Sequence, residues 1–388
     1  MTEDYFSPPN LEEVRPLTRS FATGREWEIS EFLELLNYAQ SIEASDLHLK
    51  SGAVPRIRSV QGVLPPEKQE FLEPVLGASL SQFISYLERL TTATDAGMLD
   101  NSMGLVDSHG YHDFSVKIAH SSIRVGAYRE TSGKALAIRF FYNRHMSLEY
   151  LAIPELVSVL EQPRGLFLAT GPTGSGKTTT LAAMVNHLNE REAIHIATLE
   201  DPVEYIYTDK RARITQRNVP AHVATYEEGF ASIMRQDPDV MIIGELQSIG
   251  MMRQALFAAE AGHLVMATMH ASSVAHAIHR YISLFPMPEQ PTIRHILADT
   301  LIGVSNQRLL PTPHDKWALA MELITMNSDI VHLIRKGDCE SIRDIEAASP
   351  GMISWDHRLD MLLSTGLISE ELWLKHRRDG RRLSPLEK

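Results

Sequence analysis

Cysteine is nearly missing from these 388 residues, where Cys339 stands alone. One thiol cannot close an intramolecular disulfide, and it excludes a multi-cysteine zinc module. Long apolar runs are missing too: no stretch approaches the ~20 residues that a membrane-spanning helix needs. Positive charge is in deficit, with 37 Lys and Arg against 49 Asp and Glu and a formal net charge of −12. That balance argues against a mainly nucleic-acid-binding surface, although a local basic groove fits within it. There is no internal repeat and no low-complexity segment. The start, Met1-Thr2-Glu3-Asp4, is acidic and carries no apolar stretch, so the expectation is a soluble cytoplasmic protein without a signal peptide. What is present is ordinary. Hydrophobic residues make up 44% and charged residues 22%, near globular averages, and the length suits two or three domains.

Phosphate chemistry enters with Gly171-Pro172-Thr173-Gly174-Ser175-Gly176-Lys177-Thr178, which fits G-x-x-x-x-G-K-[ST]. The apolar run Leu166–Thr170 precedes it and reads as a strand; good helix formers follow from Thr179, which is counted with residues 171–178 as nucleotide-binding. Strand, glycine loop and helix are the context that the motif requires. The glycines let backbone N–H groups turn inward around phosphate oxygens, and the new helix aims its positive end at the same anion. Lys177 is expected to reach the β- and γ-phosphates of ATP, and Thr178 to place its hydroxyl on Mg²⁺.

Carboxylates gather after two further strand-like runs. Ile194–Leu199 ends in Glu200-Asp201-Pro202-Val203-Glu204, and ligands in open α/β sheets bind at the carboxyl ends of strands. Glu200, Asp201 and Glu204 are therefore placed for work on Mg²⁺ and water; alone, the stretch also reads as an acidic loop capping a helix. Asp239–Gly244 is a buried strand ending at Glu245. It resembles a Walker B strand, but Gly244 stands where a metal-binding aspartate is usual, so magnesium must lean on Thr178, waters and a carboxylate such as Glu200. Glu245 remains in place to polarise the attacking water. Ala261–His270 brings His263 and His270 to opposite ends of another strand, where the far imidazole can contact the γ-phosphate. Without a third ligand cluster, a zinc pair is not expected.

Read in order, the chain opens with a polar arm over residues 1–27. Ser30 can cap a helix carrying Phe32, Leu35, Leu36 and Ala39 at helical spacing. Alternating runs at 46–50, 55–60, 111–118, 122–129 and 135–141, with a helix over roughly 78–90, predict a small α+β domain over 28–141. His48 reads as a structural histidine on its strand. Residues 142–164 read as a linker with a leading helix. From 165 to 388 short apolar strands alternate with helices, the pattern of an α/β nucleotide-binding core, turning mainly helical from about 287. Trp355–Leu363 and Ser369–Arg377 are two amphipathic helices joined at Gly366, and the basic tail 377–382 reads as a solvated end.

The glycine loop, the acidic box Leu199–Tyr205, the Walker B strand 239–245 and the histidine box 262–270 occur in the order of the secretion ATPase superfamily, and the chain resembles its PilT and PilU type IV pilus retraction motors. Ala44–Leu49, Ile123–Tyr128, Thr215–Val219, Arg235–Asp239 and Gln307–Pro311 resemble further family segments, so the likeness spans about Ile29 to Lys375. It implies a PAS-like N-terminal domain joined to a RecA-like ATPase domain with C-terminal helices. It also implies a homo-hexamer that completes each ATP site with a neighbour's N-terminal domain. Arg124 and Arg139 match arginines that reach the nucleotide, Glu200 and Glu204 match carboxylates near metal and water, Glu245 matches the catalytic glutamate, and His270 matches the residue near the γ-phosphate. The implied output is pilus retraction at the inner face of the cytoplasmic membrane, against an inner-membrane platform protein and with room for a paralogous retraction ATPase, and without nucleic acid. The alternatives are an ATPase of a related type II, type IV or conjugative system, or a low-turnover accessory subunit. The chain departs from the family at Ser132, Ala231 and Leu246-Gln247-Ser248. In the C-terminal region Ile330, Leu333 and Ile334 form one apolar helical face beside Arg335, like the C-terminal motif of retraction motors.

Overall fold

The computed structural model describes residues 24–94, 106, 109–118, 121–142, 146–314, 316–346 and 351–378. The chain divides into two compact units, Met1–Phe141 and Tyr142–Lys388. Most of the arm 1–27 lies outside the described residues; its last residues are packed, with Arg25 bridging to Val75 and Trp27 buried. Among the described residues no helix is long and apolar enough to cross a membrane.

The first unit contains α1 (Ile29–Ser41), β1 (Asp46–Lys50), β2 (Arg56–Ser59), β3 (Gly62–Leu64), α2 (Gly77–Thr94), β4 (Tyr111–Ile118), β5 (Ser121–Glu130) and β6 (Gly133–Phe141). The strands form an antiparallel sheet in the order β3-β2-β1-β6-β5-β4. Alternation decides its two faces. On β5, Ile123, Val125 and Ala127 are fully buried while Arg124 lies on the opposite, more open face. The helices bury Phe32 and Phe83 as a stacked pair with ring centroids 4.4 Å apart. Ser30 is not the cap of α1: Glu28 holds that position, its backbone N–H donating to Glu31 at 2.8 Å. Glu31, one turn in, reaches back to the cap residue's own N–H as in a capping box, so the helix starts one residue before Ser30.

The second unit contains α3 (Val157–Leu160), β7 (Gly165–Thr170), α4 (Lys177–Arg191), β8 (His195–Glu200), β9 (Arg213–Asn218), α5 (Tyr226–Ile233), β10 (Val240–Ile243), α6 (Ile249–Glu260) and β11 (Leu264–Met269). It continues with α7 (Val274–Ser283), α8 (Gln290–Thr300), β12 (Leu301–Pro311), β13 (Trp317–Thr325), α9 (Ser328–Lys336), α10 (Ile342–Glu346), α11 (Trp355–Ser364) and α12 (Glu370–His376). The sheet order is β13-β12-β7-β11-β10-β8-β9, parallel except for the antiparallel edge β13. β7, β10 and β11 are buried along their whole length, as strands covered on both faces must be. Leu166 and Leu168 face the core under α5 to α9, while Phe167 and Ala169 face the core under α4.

The region beyond 287 carries the expected helices, but two strands that the reading omitted, β12 and β13, lie within it. In β12 the buried polar run Ser305-Asn306-Gln307 breaks the apolar pattern, and in β13 Ala, Leu, Met and Glu are residues of high helix propensity that pairing in the sheet overrides. β9, an edge strand with a mostly polar face, escaped the reading for the same lack of an apolar signature. Residues 142–164 are no free linker: Leu148, Ile153, Leu156 and Val159 are buried in the core beneath α4, and α3 is a single turn. On α9, Ile330 and Ile334 are fully buried and Leu333 packs beside them, so the apolar face serves the ATPase core, while Arg335 pairs with Asp299 at the surface.

The Phe32 and Phe83 stack lies at the centre of the first unit's core. Phe32→Ala should destabilise that unit by about 3 to 5 kcal/mol, the usual range for a fully buried aromatic. Urea unfolding followed through the tryptophan fluorescence should show an early transition assigned to the buried Trp27 that leaves the ATPase unit's transition in place.

Candidate active site

The glycine loop joins β7 to α4, and its backbone explains its composition. Gly171, Gly174 and Gly176 hold φ of 147°, 75° and 84°, where side chains are strained. At Gly171 there is no room either, because a β-carbon would stand 2.4 Å from the carbonyl oxygen of Gln307. Side-chain oxygens of Thr225, Ser248 and Ser273 cap α5, α6 and α7, whereas α4 begins after Gly176 with no side-chain cap. Its first N–H groups are therefore not satisfied by a neighbouring side chain, the arrangement that receives an anion.

Lys177 is buried at the start of α4, and its ammonium donates to the carbonyl oxygens of Gly171 and Pro172, each at 3.0 Å. Burial pushes the ammonium below its usual range, and the negative charges of Glu245 and Glu204 oppose that shift. Nδ1 of His270, just past β11, lies 3.4 Å from the ammonium and 3.2 Å from the Gly171 oxygen. Nε2 of the same ring lies 2.9 Å from Glu245 Oε1. Glu245, after β10, is also held by Gln247, whose Nε2 donates to Oε2 at 3.1 Å. Lys177, His270 and Glu245 thus form one hydrogen-bonded group across the ends of three adjacent structural pieces. His263, at the other end of β11, bonds the Ala258 carbonyl at 3.0 Å and serves the turn after α6.

Glu200 closes β8 and is 7% exposed. Thr198 Oγ1 donates to it at 2.6 Å, yet burial pushes its carboxyl up to about 7. Glu204 is half-buried in the loop that follows, and its charge raises Glu200 further. At Gly244 a β-carbon would lie 3.2 Å from the Leu199 carbonyl oxygen and 3.3 Å from the Glu200 Cα, so β10 approaches β8 closely here and a side chain would need that backbone to give by a few tenths of an ångström. The substituted segment 246–248 is employed throughout: Leu246 is buried, Gln247 holds Glu245 and Ser248 caps α6. Ser132 bonds Glu130 in the β5–β6 turn, and Ala231 is exposed on α5.

Among the described residues no three His, Cys, Asp or Glu side chains cluster as a metal site. The oxygen groups expected near Mg²⁺ are the Thr178 hydroxyl in the first turn of α4 and the Glu200 carboxyl at the end of β8, and buried Ser175 Oγ has no hydrogen-bond partner. A set without a cluster of protein ligands suits Mg²⁺, which keeps waters and takes phosphate oxygens.

Residues whose roles the motifs did not give also build the site. Gln307 on β12 is fully buried and donates to the Ser175 carbonyl at 2.9 Å, propping the glycine loop from the neighbouring strand. Thr179 Oγ1 and the Tyr205 hydroxyl are 2.8 Å apart, tying α4 to the acidic loop. From β9, Gln216 bonds the Tyr205 carbonyl at 2.7 Å and the Tyr207 N–H at 3.0 Å, and Asn218 accepts from the Val203 N–H at 3.1 Å. Their signal in the sequence was only the order of polar residues in unrecognised strands. Arg124 and Arg139 belong to the first unit, at facing positions on β5 and β6. Each is paired within that unit: Arg124 Nε with Asp113 at 3.1 Å and Arg139 Nε with Asp46 at 3.0 Å.

With this geometry in view, similarity to known proteins is informative. The family described as "Type II/IV secretion system protein" matches residues 93–350. A "Twitching motility protein" of Neisseria gonorrhoeae is 36% identical over 264 residues, 67% of this chain and 71% of that protein. The type IV pilus retraction ATPase PilT of Pseudomonas aeruginosa is 33% identical over 348 residues, 87% of this chain and 95% of that one. A crystal structure of the pilus retraction motor PilT with bound ADP superposes with a TM-score of 0.77 at 29% identity, covering 90% of this chain and 98% of that one.

The buried Glu200 makes a test independent of catalysis. Its carboxyl is raised from 4.5 to about 7, so the folded protein keeps a proton that the unfolded chain releases between those values. The stability it contributes is complete below about pH 4.5 and is lost as pH rises through 7, on the order of 3 kcal/mol in all. In buffer without metal or nucleotide, Glu200→Gln should leave the urea midpoint near wild type at pH 5 and raise it at pH 8. Parallel pH profiles for the two proteins would contradict the burial argument.

Proposed function

Because the chain belongs to the type II/IV secretion system protein family, with the PilT- and PilU-like ATPases, we propose that it is a motor that hydrolyses ATP to retract a type IV pilus by disassembling it. The observation that carries this reading is the Lys177, His270 and Glu245 group set at the mouth of a glycine loop whose helix has no side-chain cap. The γ-phosphate of ATP has its counterpart in the free N–H groups of α4 and the Lys177 ammonium. Mg²⁺, held by Thr178 and reached by Glu200, would supply charge neutralisation at the phosphate oxygens. Water attacks the γ-phosphorus, its proton passes to the Glu245 carboxylate, and the bond to ADP breaks, leaving ADP and inorganic phosphate. His270, donating from Nε2, orients that carboxylate. Glu204 adds negative charge beside Lys177 and helps keep the ammonium protonated despite its burial.

In this reading the working assembly is a homo-hexamer, and Arg124 and Arg139 of one copy exchange Asp113 and Asp46 for a neighbour's phosphates. A guanidinium there offsets the charge that spreads over the phosphoryl oxygens in the transition state. The protein acts at the cytoplasmic membrane face, against an inner-membrane pilus platform protein and alongside a paralogous retraction ATPase where a cell carries one. The lone Cys339 supports retraction over assembly, since motors of the assembly class commonly bear a four-cysteine zinc module.

Lys177→Ala should nearly abolish ATP hydrolysis. Glu245→Gln should retain ATP binding while kcat falls about a hundredfold or more, the scale for loss of a general base. Wild-type turnover in purified Glu245→Gln would remove Glu245 from the mechanism.

Direction is read in cells. A deletion strain should carry more surface pili and lose twitching motility. Bald cells would identify an assembly motor instead.

A further inference from the structure

Of the basic tail 377–382, read from sequence as a solvated end, the described residues Arg377 and Arg378 are packed: Arg377 lies over the Trp373 ring and Arg378 is bound by several groups. Arg378 lies two residues past α12, and its guanidinium donates to the carboxylate of Glu322 on β13, to the Ser272 carbonyl at 2.9 Å and toward Asn306 Oδ1 at 3.5 Å. Its plane lies 4.6 Å from the Trp355 ring, and its backbone N–H donates to Asp356 at 2.9 Å. Two of these partners are interior groups: Glu322 is 1% exposed and Asn306 is fully buried, as is Thr170 next to it.

These groups lie side by side across the sheet, since Thr170 of β7 faces Asn306 of β12, which faces Glu322 of β13. Asn306 Nδ2 donates to Thr170 Oγ1 and to the Ala271 carbonyl, both at 3.0 Å. Thr170 Oγ1 in turn donates to the Ser305 carbonyl at 2.7 Å. The second oxygen of Glu322 accepts from the Val274 N–H at 2.9 Å, at the first residue of α7. These hydrogen bonds reach two places beside the site: Thr170, directly before Gly171, and the 271–274 turn, directly after His270.

We infer that Arg378 is a positioning residue for ATP hydrolysis: it closes a buried hydrogen-bonded chain through Glu322 and Asn306 that sets the ends of β7 and β11, and with them the glycine loop and His270. The physical reason is the fork of a guanidinium. It can neutralise the buried carboxylate and hold the Ser272 carbonyl at once, whereas an ammonium has the charge without the fixed, planar geometry. A tail that served only to neutralise Glu322 would need no contact to the turn after His270.

The inference rests on the ATPase reading, and one of its readouts does not. In the full-length protein, Arg378→Ala should lower kcat about tenfold or more with the KM for ATP changed by less than about threefold, because His270 and Glu245 lose alignment while the loop still forms. Hydrogen exchange of the 268–274 segment should quicken in the same variant, whether or not turnover is measured. Arg378→Lys should restore the thermal midpoint but only part of kcat. If Arg378→Ala does not fold, Glu322→Gln/Arg378→Met leaves no buried charge unpaired and should fold with kcat still depressed. Unchanged exchange at 268–274 would overturn the inference. So would full recovery of kcat in Arg378→Lys, or wild-type kcat in the double variant. Loss of turnover in the wild-type protein itself would count against the ATPase reading, and the exchange result would still stand.

Discussion

The ATPase unit depends on a lysine kept charged in the interior. Lys177 is buried, and burial disfavours its ammonium, so the fold must surround it with acceptors and negative charge. It does so from three directions: the Gly171 and Pro172 carbonyls of its own loop, His270 from β11, and the fields of Glu245 and Glu204. Each of these has supports of its own. Gln307 props the loop, Gln247 holds Glu245, and Gln216 and Asn218 fix the backbone of the acidic loop. The polar interior of β12 supplies this bracing through the Asn306 and Gln307 amide N–H groups, while Gln307 Oε1 and Ser305 Oγ are buried without a hydrogen-bond partner.

Two carboxylates at neighbouring strand ends live in different environments, and that separates their chemistry. Glu200 is buried against β10 by the close approach that Gly244 permits, and it holds its proton to about pH 7. Glu245 is partly open and hydrogen-bonded by Gln247 and His270, the setting on which its proposed role as the base rests. The replacement of the usual residues at 246–248 leaves this arrangement intact, because Leu246, Gln247 and Ser248 each do a different local job in core, site and helix cap.

The first unit shows a comparable economy. Its sheet turns apolar residues toward α1 and α2 and leaves Arg124 and Arg139 paired on the other face. Asp113 and Asp46 hold the two guanidinium groups in place on that face, which limits the side-chain freedom that the proposed contact with a neighbour's phosphates would cost. His48 lies on the same unit's β1, where burial pushes its imidazole below the usual range.

The sequence by itself determined the parts that depend on local backbone chemistry. The glycine spacing from 171 to 178 required positive φ values and a loop running into a helix. The apolar runs at β7, β8, β10 and β11 required strands buried on both faces, and Glu200, Glu245 and His270 stood at their carboxyl ends. Strands without an apolar signature were invisible. β9 is a polar edge, β12 has a polar middle that only its partners make tolerable, and β13 is built from residues of high helix propensity. Tertiary structure alone decided what they do, because a buried Gln307, Asn306 or Glu322 gains its meaning from acceptors and donors far away in the chain. The tail shows this most plainly: charge patterning describes Arg378 as a solvated residue, and only the fold brings Glu322, 56 residues earlier, close enough to hold it.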